Sequence, residues 1–187
     1  MTLRENLLSA AAEQFNQYGA KFTLQDVSKS IGISKKTIYT VFPDKESLLY
    51  AMLDETFKAI KQAEKEILDH PSYTIVEKIR KVIIALPEVY QQIDYSKFHT
   101  IKERYPKLFE AVANRIESDW EPTLALIQQG IDEGVIKPIN LNIFKGMVEA
   151  SIEHFLLESK EDLGGATYCE ALEAMIDLLI DGAAVRK

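Results

Sequence analysis

The chain has 187 residues, 47% of them hydrophobic and 27% charged, with a net charge of −7 at neutral pH. That composition is ordinary for a globular protein folding in water, and the length suits one core or two small units. No apolar run approaches the roughly 18–20 residues that cross a bilayer, and the polar residues within MTLRENLLSA argue against an export signal.

The charge is unevenly placed: residues 1–47 carry +1 and residues 48–187 carry −8. Helical periodicity dominates, without alternating strand runs or Asn-Gly and Asp-Gly hairpin turns, so an all-α fold is expected. The first helix places Leu3, Leu7, Leu8, Ala11, Phe15 and Tyr18 on one face and ends near Tyr18, where Gly19 suits a left-handed cap. Thr23, followed three residues later by Asp26, caps a short second helix with Leu24, Val27 and Ile31 on one face, and Gly32 stops it. Ser34 caps a third helix from Lys35 to Val41 or Phe42, which turns Ile38, Val41 and Phe42 inward before Pro43 closes it.

A long fourth helix is predicted from Asp44 toward His70, ended by Pro71. Further helical stretches are predicted over 74–93, 95–104, 106–134, 140–159 and 166–184, with Pro87 and Pro122 as points of kinking or division. No internal repeat, low-complexity tract or Gly/Ser linker separates them.

Two short helices joined by "GIS" form a helix-turn-helix pattern, in which the second helix can lie in a DNA major groove. With Ile38, Val41 and Phe42 turned in, Lys35, Lys36, Thr37, Tyr39 and Thr40 are left facing outward. Lysines neutralise phosphates, while Thr and Tyr hydroxyls reach phosphate oxygens or base edges. A plain solvated face is the simpler reading of that surface alone. Helix capping weighs against it. Lys35 and Lys36 after Ser34, and Lys45 after Asp44, put cations at the positive ends of two helices, a mismatch that an arriving phosphate would relieve.

The run AAAEQFNQYGAKFTLQDVSKSIGISKKTIYTVFPDKESLL resembles the DNA-binding region of the tetracycline-repressor (TetR) family. The resemblance rests on a helix with an inward Phe, a Gly turn, T-x-x-D-V followed by a small residue, G-I-S-x-x-T-I-Y-x-x-F, and K-E-x-L. It covers about a quarter of the chain. Two positions depart from the pattern: Ser28 stands where alanine is usual and Val41 where histidine is frequent. The resemblance implies a phosphate-contacting cap at Thr23, a recognition helix presenting Lys35, Lys36, Thr37 and Tyr39, and a DNA-backbone contact from Lys45. It also implies a homodimeric, ligand-responsive repressor of a double-stranded operator.

A three-helix unit of this size buries little surface and needs Leu48, Leu49 and Met52 from the start of the fourth helix. The expected division is therefore a DNA-binding unit over 1–47 and a ligand-binding and dimerisation unit over 48–187, joined rigidly by the fourth helix. On the last two helices, Met147, Ile152, Phe155, Leu172, Met175, Ile176 and Leu179 form apolar stripes that spacing alone assigns to core. The family resemblance assigns them to a four-helix dimer interface. An effector pocket is expected among Phe98, Ile101, Trp120, Leu124 and Phe144, near the proline-broken helix of FHTIKERYPKLFEAV.

Enzyme chemistry has little support. His70, His99 and His154 lack Cys, Asp or Glu at ligand spacing, and no Ser elbow or phosphate-binding Gly loop occurs. The single Cys169 permits no internal disulfide, which suits a reducing cytoplasm. The expectation is a non-enzymatic DNA-binding regulator with no cofactor, metal or membrane partner. A helical protein-interaction module, or an α-helical enzyme, is the alternative.

Overall fold

A computed structural model describes residues 2–185. Eleven α-helices are found among them: α1 Leu3–Tyr18, α2 Leu24–Ser30, α3 Lys35–Tyr39, α4 Lys45–Asp69, α5 Ile75–Ile83, α6 Glu88–Gln91, α7 His99–Arg104, α8 Pro106–Ile116, α9 Glu121–Asp132, α10 Leu141–Leu157 and α11 Tyr168–Ala183. Short 3₁₀ turns at Gly19–Lys21 and Tyr95–Lys97 complete the regular structure. The only extended pairing among the described residues is an isolated antiparallel bridge, Ile136 with Ala184, which ties the end of α11 to the loop after α9.

Local chemistry explains most of the boundaries. Thr23 with Asp26 and Asp44 with Ser47 form reciprocal capping boxes, and the Ser34 side chain accepts the Thr37 N–H. α3 is shorter than its apolar spacing suggested. It closes at Tyr39, and Val41 and Phe42 both return their N–H groups to the Ile38 carbonyl in a tight turn. The stretches predicted over 74–93 and 106–134 are each divided. Pro87 cannot donate into a continuing helix and becomes the N-cap of α6, while Pro122 sits in the first turn of α9, where its missing N–H costs nothing.

Two apolar cores organise these helices. The first gathers Leu7, Phe15, Phe22, Val27, Ile38, Phe42, Leu48 and Leu49, and continues into Tyr95, Ile101, Leu108, Val112 and Leu156. The second holds Ile79, Val82, Ile127, Ile136, Val148, Ile176 and Ile180. α4 serves both: Leu48 to Phe57 pack in the first and Ile67 and Leu68 against the second. Arg80 of α5 pairs with Asp177 and Asp181 of α11, one helical turn apart, and so fixes α11 along the second core.

Candidate functional site

On α3, Ile38 is fully buried and anchors the helix, while Ser34, Lys35, Lys36, Tyr39 and Thr40 are exposed. The Lys35 ammonium lies 6.0 Å from the centre of the Tyr39 ring, so cation and phenol occupy one patch. No acidic residue occurs on this helix. Thr37 is half-buried, with its hydroxyl 2.8 Å from that of Ser34, and Thr40 donates its hydroxyl proton to the Thr37 carbonyl at 2.7 Å. Lys35 and Lys36 are therefore the cations of the face without an ion pair among the described residues, and the threonines are held by local bonds. The patch can neutralise phosphates and reach a groove.

Two other expected contacts are already engaged inside the chain. Thr23 donates its hydroxyl proton to the Asp26 carboxylate at 2.7 Å and its backbone N–H to the same carboxylate at 2.8 Å, bonds that hold that carboxyl below its ordinary range, and its hydroxyl accepts the Asp26 N–H at 3.2 Å. The Lys45 ammonium turns inward rather than outward. It donates to the Ala20 carbonyl at 2.6 Å and to the Phe22 carbonyl, and sits 4.2 Å from the centre of the Phe22 ring. The cation at the start of α4 is thus satisfied by the turn between α1 and α2, and needs no phosphate to explain it.

Burial, together with Arg104 nearby, pushes Lys45 down to about 8, with Asp26 acting in the opposite direction. Between about pH 8 and the ordinary 10.5, the unfolded chain keeps a proton that the folded chain has released, so linkage makes folding more favourable as pH rises. A Lys45→Met variant lacks this slope. Urea denaturation at pH 7 and pH 10 is expected to show wild type gaining on the variant by about 1–2 kcal/mol, allowing for solvent screening of a half-exposed group. An unchanged gap would show that the ammonium is not perturbed.

Away from α3, an apolar cavity of about 200 Å³ lies between α4, α8, the 3₁₀ turn at Tyr95–Lys97, and the starts of α7 and α9. Phe98, Ile101 and Trp120 line it, as expected from the sequence. Leu124 and Phe144 do not. Phe144 is buried in the second core, where α10 turns it toward the packing of α5 and α11. Phe57, Ile60, Lys61 and Glu64 were missed. They line the cavity from α4 at the i, i+3, i+4, i+7 spacing of a single helix face, a signal present in the sequence.

The interface residues divide. Leu172, Met175 and Ile176 are buried within the chain's own second core, and Ile152 lines the cavity. Phe155 and Leu179 are half-buried, and Met147 is 50% exposed. α10 and α11 each bear apolar residues on more than one face, so periodicity could not say which face points inward. The outward apolar positions are Met147, Ile143 at 61% and Leu178 at 78% exposure, flanked by Gly146, Ala150 and Ala174.

Residues 7–52 match the description "Bacterial regulatory proteins, tetR family". The chain is 25% identical over 178 residues to YvaF of Bacillus subtilis, an uncharacterized HTH-type transcriptional regulator, covering 95% of this chain and 94% of that one. It is 29% identical over 143 residues to YhgD of the same organism, also an uncharacterized HTH-type transcriptional regulator, covering 71% of each. A TetR transcription regulator from Haloarcula marismortui shares the fold with a TM-score of 0.71 at 16% identity, over 97% of this chain and 98% of the other. A matched helix-turn-helix, full-length relatives and the exposed cationic face of α3 agree: residues 7–52 are similar to the DNA-binding region of tetR-family regulatory proteins, and the chain is a DNA-binding transcriptional regulator.

Proposed function

We propose that the protein is a homodimeric cytoplasmic repressor that binds a palindromic operator through Ser34, Lys35, Lys36, Thr37, Tyr39 and Thr40, and is released when a small molecule occupies the cavity. The observation that carries this reading is one segment with two sides. Ile93, Tyr95, Phe98 and Ile101 line the cavity. Between them, the same segment bonds the DNA-reading unit. Asn16 of α1 donates to the Gln92 carbonyl at 3.0 Å and accepts the Asp94 N–H at 2.8 Å. Lys97 donates to the Asn16 and Gln17 carbonyls, and the buried Thr100 hydroxyl accepts the Ala20 N–H at 2.7 Å.

Contact at this joint is close. Gly19 adopts a left-handed φ of 56°, and a Cβ there would stand 2.6 Å from the Thr100 hydroxyl oxygen, so only glycine fits. Phe15 of α1 also lines the cavity, with its ring edge-on to Phe98 at 5.7 Å. A molecule that moves Phe98 therefore acts on α1 directly and on the turn through Thr100. Lys45 grips the same turn from α4. A few ångströms of displacement suffice, because a two-fold reader requires half-sites about 34–36 Å apart or a multiple of this.

Selection of bound sequences from random DNA tests the function, and a palindrome with that spacing is expected. Recovery of no preferred sequence would leave only non-specific binding. For the joint, Thr100→Val keeps the shape but leaves the Ala20 N–H without an acceptor. Operator affinity is expected to fall about 3–10-fold with the salt slope unchanged, since no phosphate contact is lost. An unaltered affinity would remove Thr100 from the link.

A further inference from the structure

The hydrogen-bonding capacity of the cavity wall is lopsided. Its donors are largely spent within the chain: Thr56 gives its hydroxyl proton to the Met52 carbonyl, Ser118 to the Arg115 carbonyl and Tyr95 to the Tyr90 carbonyl. Both lining cations are also paired, Lys61 with Glu64 at 3.0 Å and Arg115 with Asp54, while the Arg115 guanidinium rests 5.4 Å from the centre of the Phe57 ring. Acceptors remain. Asp119 has no cationic partner among the described residues, and Glu64 meets Lys61 through one oxygen only. Burial holds the Glu64 carboxyl above its ordinary range against the opposing pull of Lys61, and the charge of Asp119 adds a smaller push in the same direction as burial. Thr123, 8% exposed, and Tyr168 add hydroxyls to the wall that can donate or accept.

The remaining wall is aliphatic and aromatic, with Phe15, Phe57, Phe98 and Trp120 around the space. A cavity of about 200 Å³ exceeds the roughly 150 Å³ that accepts benzene. It holds one ring and a short carbon arm. Unspent acceptors, unpaired negative charge and an apolar body of this size define a single chemical class.

We propose that the cavity takes small amphipathic cations, an aromatic or aliphatic body of about one ring with a protonated amine on a short arm, the amine lying between Glu64 and Asp119. This rests on the reading of the cavity as the effector site. The amine supplies a donor to the free oxygen of Glu64 and the positive charge that Asp119 is without among the described residues. A carboxylate in the same place would face two carboxylates, and the lining hydroxyls not already bonded among the described residues are those of Thr123 and Tyr168 alone.

Trp120 provides the readout, being the only tryptophan in the chain and part of the wall. The full-length protein is titrated with three molecules of matched shape, 4-phenylbutylamine, 4-phenylbutanol and 4-phenylbutanoate, following Trp120 emission and calorimetric heat. The amine is expected to bind at least tenfold more tightly than the alcohol, and the carboxylate more weakly than either. Asp119→Asn, which suits the left-handed φ of 58° at that position, should weaken the amine several-fold and leave the alcohol unchanged. Adding Glu64→Gln should bring the amine to the level of the alcohol. Equal or tighter binding of the carboxylate, or an amine affinity indifferent to both substitutions, would overturn the proposed ligand class while the alcohol still marks the cavity as a binding site. Absence of binding by all three would overturn the effector-site reading as well.

Discussion

With Lys35 and Lys36 both replaced by alanine, operator affinity near 0.15 M salt is expected to fall by tenfold or more, and the salt dependence to flatten by about two units. Each phosphate neutralised by a lysine releases condensed counterions and contributes about 0.9 to the slope of log K against log salt. Both side chains are exposed and free of any ion pair among the described residues, so truncation gives up little more than the distant, exposed approach of the Lys35 ammonium to the Tyr39 ring and stability should hold. The loss should be similar on operator and random DNA, because phosphate contacts carry no sequence information. Thr37→Ala differs: it removes a hydroxyl tied to Ser34 and should shift preference among sites with little change in slope. Fluorescence anisotropy between 50 and 200 mM salt separates the two. An unchanged slope for the double lysine variant would mean that α3 does not lie against the phosphates.

The parts of this molecule that were legible in the sequence are those set by neighbours within a few residues. Thr23, Ser34 and Asp44 could be read as caps because a cap needs only the N–H group three positions on, and each makes that bond. Ile38 and Phe42 could be assigned inward from spacing alone, and both are buried. Lys45 shows where such reading stops. Its backbone is at a helix start, where a cation looks misplaced, but its four-carbon stem carries the ammonium to a carbonyl 25 residues earlier, which no local pattern records. Of the two cation-bearing helix starts, then, only that of α3 has ammonium groups without a hydrogen-bond or ion-pair partner among the described residues. The cavity was half legible for a related reason. Aromatics around the broken helix marked one wall, but the opposite wall belongs to α4, whose face toward the space follows from tertiary packing.

The proposed dimer surface leads to the second large effect. Spacing could find apolar stripes on α10 and α11 but could not choose the outward one. The outward choice is Met147 and Leu178, with Ile143 beside Met147 on α10. Gly146 and Gly182 have open space where a side chain would project, so another helix can approach closely there. A second copy of this chain, placed about a two-fold axis along α10 and α11, would cover these side chains in a four-helix arrangement. Met147→Glu combined with Leu178→Glu places like charges on both sides of such an interface. The variant is expected to be a folded monomer by light scattering, with unchanged helical circular dichroism. Its operator affinity should fall by about 10²–10⁴-fold, since the second half-site is then no longer bound at high effective concentration. Ile176→Glu should behave differently: Ile176 is 1% exposed within the chain's own core, and a carboxylate there lacks any partner, so that variant should unfold rather than dissociate. An intact dimer from the Met147 and Leu178 variant would place the interface elsewhere. Unfolding by both variants would show that Met147 and Leu178 hold the chain's own fold, so the comparison separates core from interface on the same two helices.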